Sequence, residues 1–193
     1  MSDVHSVAVF CGSTMGNDPA HAEAAARFGT ALAHAGMRLV YGGGKVGLMG
    51  VIADAALAAG GTVVGIIPEF LRAREVAHPG ITETVITDSM HTRKRRMFDL
   101  ADAFVSLPGG LGTFDETIEI ITWRQLKLHD KPILIADLNG AFTPLVAAID
   151  SAVTAGFARS ESRALFEVTT SVEATIERLK HLATVRGGAS ALL

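Results

Sequence analysis

Residues 103–116 read Ala-Phe-Val-Ser-Leu-Pro-Gly-Gly-Leu-Gly-Thr-Phe-Asp-Glu, an apolar run that leads through a glycine-rich turn into a more polar segment. The apolar residues 103–107 predict a short buried strand, and the residues from Thr113 onwards predict a helix. The first N–H groups of a helix have no partner inside that helix, and glycine lets an anion approach them closely. This stretch therefore predicts a strand, an anion-binding turn and a helix in succession, with Glu116 beside the turn.

The rest of the chain repeats this alternation of short β-branched runs and alanine-rich helical stretches. Strands are predicted at residues 4–11, 38–41, 62–67, 85–87, 103–107, 132–137 and 166–169. Helices are predicted at residues 19–35, 47–59, 89–102, 113–128, 142–155 and 171–183. Such alternation indicates an α/β fold, here a Rossmann-like three-layer sandwich with a mostly parallel central sheet. We expect residues 1–185 to form one domain and residues 186–193 to form a flexible tail.

Composition and charge narrow the class of protein. Of the 193 residues, 49% are apolar and 19% are charged, which predicts a substantial core rather than a disordered chain. A net charge of −3 predicts no nucleic-acid partner and no membrane surface, because such partners leave a basic footprint. The N-terminus does not resemble a signal peptide, no apolar run approaches the roughly 20 residues that span a bilayer, and the single Cys11 excludes an internal disulfide. We therefore expect a cytoplasmic protein.

Glycine clusters follow three of the predicted strands, at residues 12–16, 42–45 and 109–112. Ligands of open α/β sheets bind beyond the carboxyl ends of the strands, so we expect the three loops to share one ligand site that includes Ser13, Gly43 and Gly109. The alternative is that these glycines only form tight turns. A P-loop needs Ser or Thr after its Gly-Lys pair, and Val46 occupies that place. The dinucleotide fingerprint is met only loosely, so the loops favour a monophosphate ligand.

A second signal lies in the predicted helix at residues 89–102. Its apolar stripe is marked by Met90 and Met97 at helical spacing, and Arg93 and Lys94 fall on the same stripe. A charge on the inner face of a helix needs an anionic partner, because its burial is otherwise costly. An arginine whose stem packs while its head reaches solvent is the alternative explanation.

Several candidate residues also have ordinary structural explanations. Thr113 and Glu116 fit a capping box, in which Thr begins the helix and Glu bonds back to it, and spacing alone fits this role as well as a catalytic one. Glu75, in the polar connection at residues 68–79, is explained by an exposed ion pair with a neighbouring arginine. Cys11 fits a strand-end core residue better than a nucleophile. The histidines show no metal-ligand spacing, and we expect no metal site.

Two motifs together resemble those of a known family. MHxRKxxM at residues 90–97 and PGGxGTxxE at residues 108–116 are similar, in order and separation, to the paired motifs of the Lonely Guy (LOG) family, the cytokinin riboside 5′-monophosphate phosphoribohydrolases. Residues 7–13, 41–44, 121–123 and 129–132 extend the resemblance over most of the chain. The family's older label, lysine decarboxylase, implies a far larger pyridoxal phosphate enzyme, and these residues give it no support.

The resemblance implies a Rossmann-like homodimer that needs no cofactor and hydrolyses the N-glycosidic bond of an N6-modified AMP. Its products would be the free base and ribose 5-phosphate. By motif position, Arg93 and Glu116 correspond to the catalytic pair. The resemblance also implies substrate contacts from the turn formed by Gly110, Leu111, Gly112 and Thr113, and from Glu75, Lys94 and Thr122. The chemistry suits these types of residue, because a carboxylate stabilises positive charge on the ribose and a fixed cation stabilises the departing purine.

Two other functions stay open at this point. An AMP nucleosidase of broader specificity would use the same residues, and a non-catalytic nucleotide carrier or sensor could share the fold. The carrier predicts nucleotide binding without turnover. The AMP nucleosidase predicts comparable kcat/KM for AMP and for its N6-prenylated form.

Overall fold

The computed structural model describes residues 4–72 and 76–189. The strands are β1 (Ser6–Phe10), β2 (Arg38–Tyr41), β3 (Val63–Pro68), β4 (Glu83–Thr87), β5 (Ala103–Ser106), β6 (Ile133–Ala136) and β7 (Glu167–Thr169). The helices are α1 (Pro19–His34), α2 (Gly47–Ala58), α3 (Met90–Leu100), α4 (Leu111–Gln125), α5 (Thr143–Thr154) and α6 (Val172–Ala189). The strands form one sheet in the order β4-β3-β2-β1-β5-β6-β7, with every neighbouring pair parallel. The α/β Rossmann-like prediction is confirmed.

Helices cover both faces of the sheet, which explains why its central strands are apolar on both sides. Along β1, Val7 and Val9 pack in a cluster with α1, α2 and α6, whereas Ala8 and Phe10 pack in a cluster with α3, α4 and α5. A one-residue slip of β1 would exchange these two sets of side chains, so burial on both faces fixes the register. The three layers follow from this alternation.

The helix boundaries show where capping chemistry acts. As the sequence predicts, α1 begins at Pro19, and Oδ1 of Asp18 accepts from the N–H of Ala20 at 2.9 Å. The predicted start of α4 is wrong by two residues, since the helix begins at Leu111. The last helix runs to Ala189, beyond the predicted residue 183, and residues 190–193 lie outside the described part of the chain.

No helix within the described residues has the length and apolar character of a membrane span.

The strand order creates a crevice beside β1. Successive strands from β1 to β4 add to one side of the sheet, and the chain then crosses to the other side to add β5, β6 and β7. The connections that leave β1 and β5 therefore diverge at the carboxyl edge, which is where open α/β sheets bind ligands. The N–H of Gly12 donates to the carbonyl of Pro108 at 3.1 Å and holds the two loops side by side.

The hydroxyl of Tyr41 offers a test of the core. Tyr41 is fully buried, and its hydroxyl meets no hydrogen-bonding protein group among the described residues. Burial raises the pKa of Tyr41, and the nearby Cys11 and Asp54 raise it further. A buried hydroxyl without a partner costs roughly 1–3 kcal/mol.

We predict that Tyr41→Phe raises the free energy of unfolding by about 1 kcal/mol, because the ring stays packed while the hydroxyl is removed. Urea denaturation measures the change. Tyr41→Leu is the control that also removes ring atoms, and it should be destabilising. A Phe variant less stable than the parent would show that the hydroxyl makes a favourable contact.

Candidate active site

The carboxyl edge of the sheet brings the three glycine loops together, as the sequence predicts. The N–H of Met49, in the first turn of α2, donates to the carbonyl of Gly12 at 3.3 Å. Gly47 has a φ of +63° and lies against the backbone of residues 13 and 14, where any side chain would overlap. Gly109 leaves equally little room beside Gly12. Because contacts this close require glycine, these residues do more than close turns.

One cavity of about 340 Å³ opens between these loops, α3 and the start of α4. It lies at the crevice between β1 and β5, so the predicted location of the site is where the fold places a cavity. The predicted site residues that line it are Ser13, Arg93, Gly110, Leu111, Gly112, Thr113 and Glu116.

The turn at residues 110–113 presents open backbone to this cavity. Gly110 is the extended N-cap of α4, so the N–H groups of Leu111, Gly112 and Thr113 fall in the first turn, where intrahelical partners are absent. A methyl group built on Gly110 or Gly112 would meet no protein atom within 4 Å. Unpaired N–H groups at the positive end of a helix dipole favour an anion, and the binding of an anion at this turn stays a prediction.

The start of α4 tests the capping-box explanation of Glu116. A capping box requires Thr113 to precede the helix, but α4 begins at Leu111, so that explanation is wrong. The physical reason is that Thr113 is buried against Gly109 and cannot serve as an N-cap, which leaves Gly110 to begin the helix. Glu116 consequently lies in the second turn and lines the cavity.

Arg93 reaches the same cavity from α3. Only 5% of the residue is exposed, and Nη2 donates to the carbonyl of Gly42 at 3.3 Å. The alternative of a packed stem with a solvated head is therefore wrong. A side chain at Gly42 would overlap the guanidinium, so this glycine is needed to seat Arg93.

Glu116 and Arg93 both affect the pKa of the nearby Cys11 thiol. Burial is the main cause that raises the pKa of its thiol, the Glu116 carboxylate raises it further, and the Arg93 guanidinium lowers it. Cys11 is thus the buried strand-end residue that the sequence predicts, and its thiol is poorly suited to act as a nucleophile. Cys11, Glu116 and Arg93 all line the same cavity.

Lys94 does not line the cavity within the described structure. Its Nζ lies 3.1 Å from Oδ2 of Asp115 and 2.9 Å from Oε2 of Glu119, so it links α3 to α4. Burial favours the neutral amine, but hydrogen bonds to Glu119 and Asp115 outweigh it and raise the pKa of Lys94. A contact between Lys94 and a substrate stays a prediction.

Four other predicted residues lie apart from the cavity or outside the described chain. Gly109 does not line the cavity and packs against Gly12 and Thr113. The hydroxyl of Thr122 donates to the carbonyl of Ile118 at 2.8 Å on an exposed face of α4. Gly43, with a φ of +77°, packs on β3 rather than facing the cavity. Glu75 lies outside the described residues. Their contacts with a substrate stay predictions.

Sequence reasoning missed three apolar residues that line the cavity, Met49, Leu71 and Met90. Met49 had a signal, because it follows the second glycine loop in the first turn of a helix. Leu71 had none, since only the tertiary fold brings the connection after β3 to the site. Within residues 4–72 and 76–189, no three His, Cys, Asp or Glu side chains cluster in a way that could hold a metal.

Comparisons with known proteins fit this geometry. A family model described as "Possible lysine decarboxylase" matches residues 49–179. A cytokinin riboside 5′-monophosphate phosphoribohydrolase of Rhodococcoides fascians is 44% identical over 176 residues, which cover 91% of this chain and 89% of that protein. The chain belongs to the Lonely Guy family. An Arabidopsis thaliana protein of the same name is 40% identical over 174 residues, which cover 90% of this chain and 82% of that protein.

The fold is shared more widely than the family motifs. The molybdenum cofactor binding protein of the phototrophic bacterium Rippkaea orientalis superposes with a TM-score of 0.70 at 21% identity, covering 94% of this chain and 99% of that one. At this level of identity the likeness concerns the fold alone. The assignment to the Lonely Guy family therefore rests on the family match and the closer relatives.

Gly112 and the neighbouring Gly109 allow the predicted anion site of this Lonely Guy protein to be tested. We predict that Gly112→Ala leaves the free energy of unfolding unchanged or higher, because alanine favours helix and finds open space. The same variant should weaken binding of AMP at least about tenfold, since the methyl group would stand between the phosphate and the N–H groups.

Gly109→Ala is the matched control for this test. Its methyl group would overlap Thr113 and lie 2.9 Å from the backbone N of Gly12, so this variant should lose stability. Calorimetry measures AMP binding and thermal unfolding measures stability. Parental AMP affinity in Gly112→Ala would show that the phosphate sits elsewhere.

Proposed function

We propose that this chain hydrolyses the N-glycosidic bond of an N6-modified AMP and releases the free base and ribose 5-phosphate. The observation that supports this most directly is the convergence of an open helix N-terminus, the Glu116 carboxylate and the buried Arg93 on one cavity. The relatives from Rhodococcoides fascians and Arabidopsis thaliana bear the name of such an enzyme. In this proposal, the cavity binds the phosphate at the N-terminus of α4, beside two groups that are suited to glycosidic cleavage.

The phosphate provides orientation. In the proposed complex, the first-turn N–H groups of α4 hold the 5′-phosphate, which is remote from the bond that breaks. Binding energy gained there is used to place C1′ of the ribose against the catalytic groups. The same helix carries Glu116 one turn further on, so its rigid geometry sets the distance between phosphate and carboxylate.

In this proposal, Glu116 acts on the ribose, which becomes electron-poor during the reaction. As the bond between C1′ and the purine nitrogen breaks, its electron pair leaves with the base and positive charge builds on the ribose. A carboxylate beside C1′ stabilises that charge and orients the attacking water, from which it accepts a proton. The new C1′–oxygen bond completes ribose 5-phosphate, and the departing base takes up a proton from solvent.

In this proposal, Arg93 acts on a negatively charged part of the substrate. A guanidinium stays charged under physiological conditions and is a poor proton donor, so its role is electrostatic. Its hydrogen bond to the Gly42 carbonyl fixes its direction before the substrate binds. It therefore stabilises negative charge on the departing purine or holds the sugar phosphate in place.

The apolar residues that line the cavity support the choice of an N6-modified base. Met49, Leu71 and Met90 offer contacts to an apolar substituent, whereas the bare amino group of AMP would gain little from them. Burial of a prenyl group against such side chains is favourable by about 25 cal/mol per Å². The broader AMP nucleosidase and the non-catalytic carrier are outcomes that the assay below separates from this proposal.

We predict release of free base and ribose 5-phosphate from N6-isopentenyl-AMP, with a higher kcat/KM than for AMP. Chromatography of the products measures both rates. Comparable values for the two nucleotides would identify a broad AMP nucleosidase. Binding of either nucleotide without turnover would identify a carrier.

We predict that Glu116→Gln lowers kcat by about 10²- to 10⁴-fold while circular dichroism shows a folded protein, because the amide neither stabilises the cationic ribose nor accepts a proton. Glu177→Gln is the matched control, since that exposed acid pairs with Lys180 on α6 and does not line the cavity within the described residues. Parental turnover by Glu116→Gln would remove Glu116 from the mechanism.

We further propose that two copies pair through the exposed face of α4. Ile118 is 38% exposed there and forms a shallow groove with Phe114, Thr122 and Trp123. Exposed apolar side chains along one helix are typical of an interface between identical chains. This face adjoins Asp115, which also lines the cavity, so pairing would occur next to the site.

Sedimentation measures this pairing. We predict a dimer for the parent chain and a monomer for Ile118→Glu, because a buried glutamate without a partner opposes association. Val168→Glu changes an equally exposed apolar residue on β7, and this control should remain a dimer. A dimeric Ile118→Glu variant would place the interface elsewhere.

A further inference from the structure

His78 is a buried polar residue, 5% exposed, that lies outside the cavity in the connection between β3 and β4. Its backbone N–H donates to the carbonyl of Gly43 at 3.0 Å. The adjacent Gly44 and Ala77 pair as an isolated antiparallel bridge. The connection therefore runs alongside the second glycine loop and is bonded to it through the backbone.

The ring of His78 has two partners, and they fix its tautomer. Nδ1 lies 3.1 Å from the backbone N of Gly80, which can only donate, so Nδ1 is an acceptor without a proton. Nε2 therefore carries the proton and donates to Oδ1 of Asp54 at 2.9 Å. Asp54 belongs to α2, the helix whose first turn lines the cavity through Met49. One side chain thus joins α2 to the connection that braces the glycine loop.

The braced loop is the one that orients Arg93. The carbonyl of Gly42, which accepts from the guanidinium, comes one residue before the carbonyl that His78 holds. On its other side, Gly43 packs on β3, where a methyl group would approach Cβ of Ile67 to 3.1 Å. The glycine loop at residues 42–45 is therefore held on one side by β3 and on the other by the backbone N–H of His78.

We propose that His78 is a positioning residue for Arg93. Its backbone holds the second glycine loop, its ring ties the connection to Asp54, and together these contacts set the direction of the Gly42 carbonyl. The inference rests on the proposed function, because the effect of a misplaced guanidinium is read as slower glycosidic cleavage. The turn at residues 110–113, which is proposed to hold the phosphate, lies on the β5 side of the crevice. We therefore expect substrate binding through that turn not to depend on His78.

The experiment compares three substitutions at His78 with N6-isopentenyl-AMP as substrate. Leu removes both ring contacts, Asn keeps an acceptor near Nδ1 for the N–H of Gly80, and Gln keeps a donor near Nε2 for Asp54. We expect kcat per folded molecule to fall at least about tenfold in His78→Leu, because small misplacements of catalytic groups carry such effects, with KM changed less than about twofold. His78→Gln should recover most of kcat, and His78→Asn should not.

Asp54 provides an independent route to the same contact if His78→Leu does not fold. Asp54→Ala removes the acceptor and should lower kcat as His78→Asn does, whereas Asp54→Asn keeps a neutral acceptor and should stay close to the parent. His34→Leu, at the exposed end of α1, is the control histidine and should leave kcat and KM unchanged. A long-range ¹H–¹⁵N spectrum of the parent should show the tautomer of His78 protonated at Nε2.

Three outcomes would overturn the inference. The first is parental kcat per folded molecule in both His78→Leu and Asp54→Ala. The second is a rise of KM as large as the fall of kcat. The third is an equal recovery of kcat by His78→Gln and His78→Asn. A purely structural role predicts lower thermal stability with unchanged kcat per folded molecule, and so falls under the first outcome. If the parent chain itself shows no turnover, the proposed function fails, and that result is distinct from all three.

Discussion

The site depends on the close approach of backbone to backbone at the carboxyl edge of the sheet. The loops after β1, β2 and β5 meet there because Gly47 and Gly109 carry no Cβ, which would otherwise overlap the neighbouring loop. Any side chain at these two positions would separate the loops and move the turn at residues 110–113. Gly110 and Gly112 in that turn have open space around them and leave its N–H groups accessible, so the close approach of the loops also positions the proposed anion site.

Those features of the structure that depend on local chemistry were predictable from the sequence. The alternation of β-branched and alanine-rich runs predicted the strands and their parallel arrangement, because each pattern has its own period. Glycine clusters after strands predicted a shared edge, since parallel strands direct their carboxyl ends the same way. The place of Arg93 on an apolar stripe predicted its burial, which the structure confirms.

What the sequence could not predict depends on contacts between distant elements. The capping-box pattern at Thr113 is locally sound, but the helix begins earlier because Thr113 is buried against Gly109. Lys94 occupies the same stripe as Arg93, yet it turns to Asp115 and Glu119, whose positions are set by the packing of α4 on α3. Spacing along α3 cannot distinguish the two cations, since the difference lies in what each one faces.

The charges of the cavity work as a unit. Glu116 and Arg93 line the same cavity as the buried Cys11, and they have opposite effects on the pKa of its thiol. Each charge offsets part of the cost of burying the other, and a bound phosphate would add negative charge that the N-terminus of α4 balances. Removing Glu116 leaves the buried Arg93 without this compensation, and removing Arg93 leaves the partly buried Glu116 without it. The loss measured for one substitution therefore includes the cost of the charge that remains, and the two losses cannot be added to give the sum of two independent contributions.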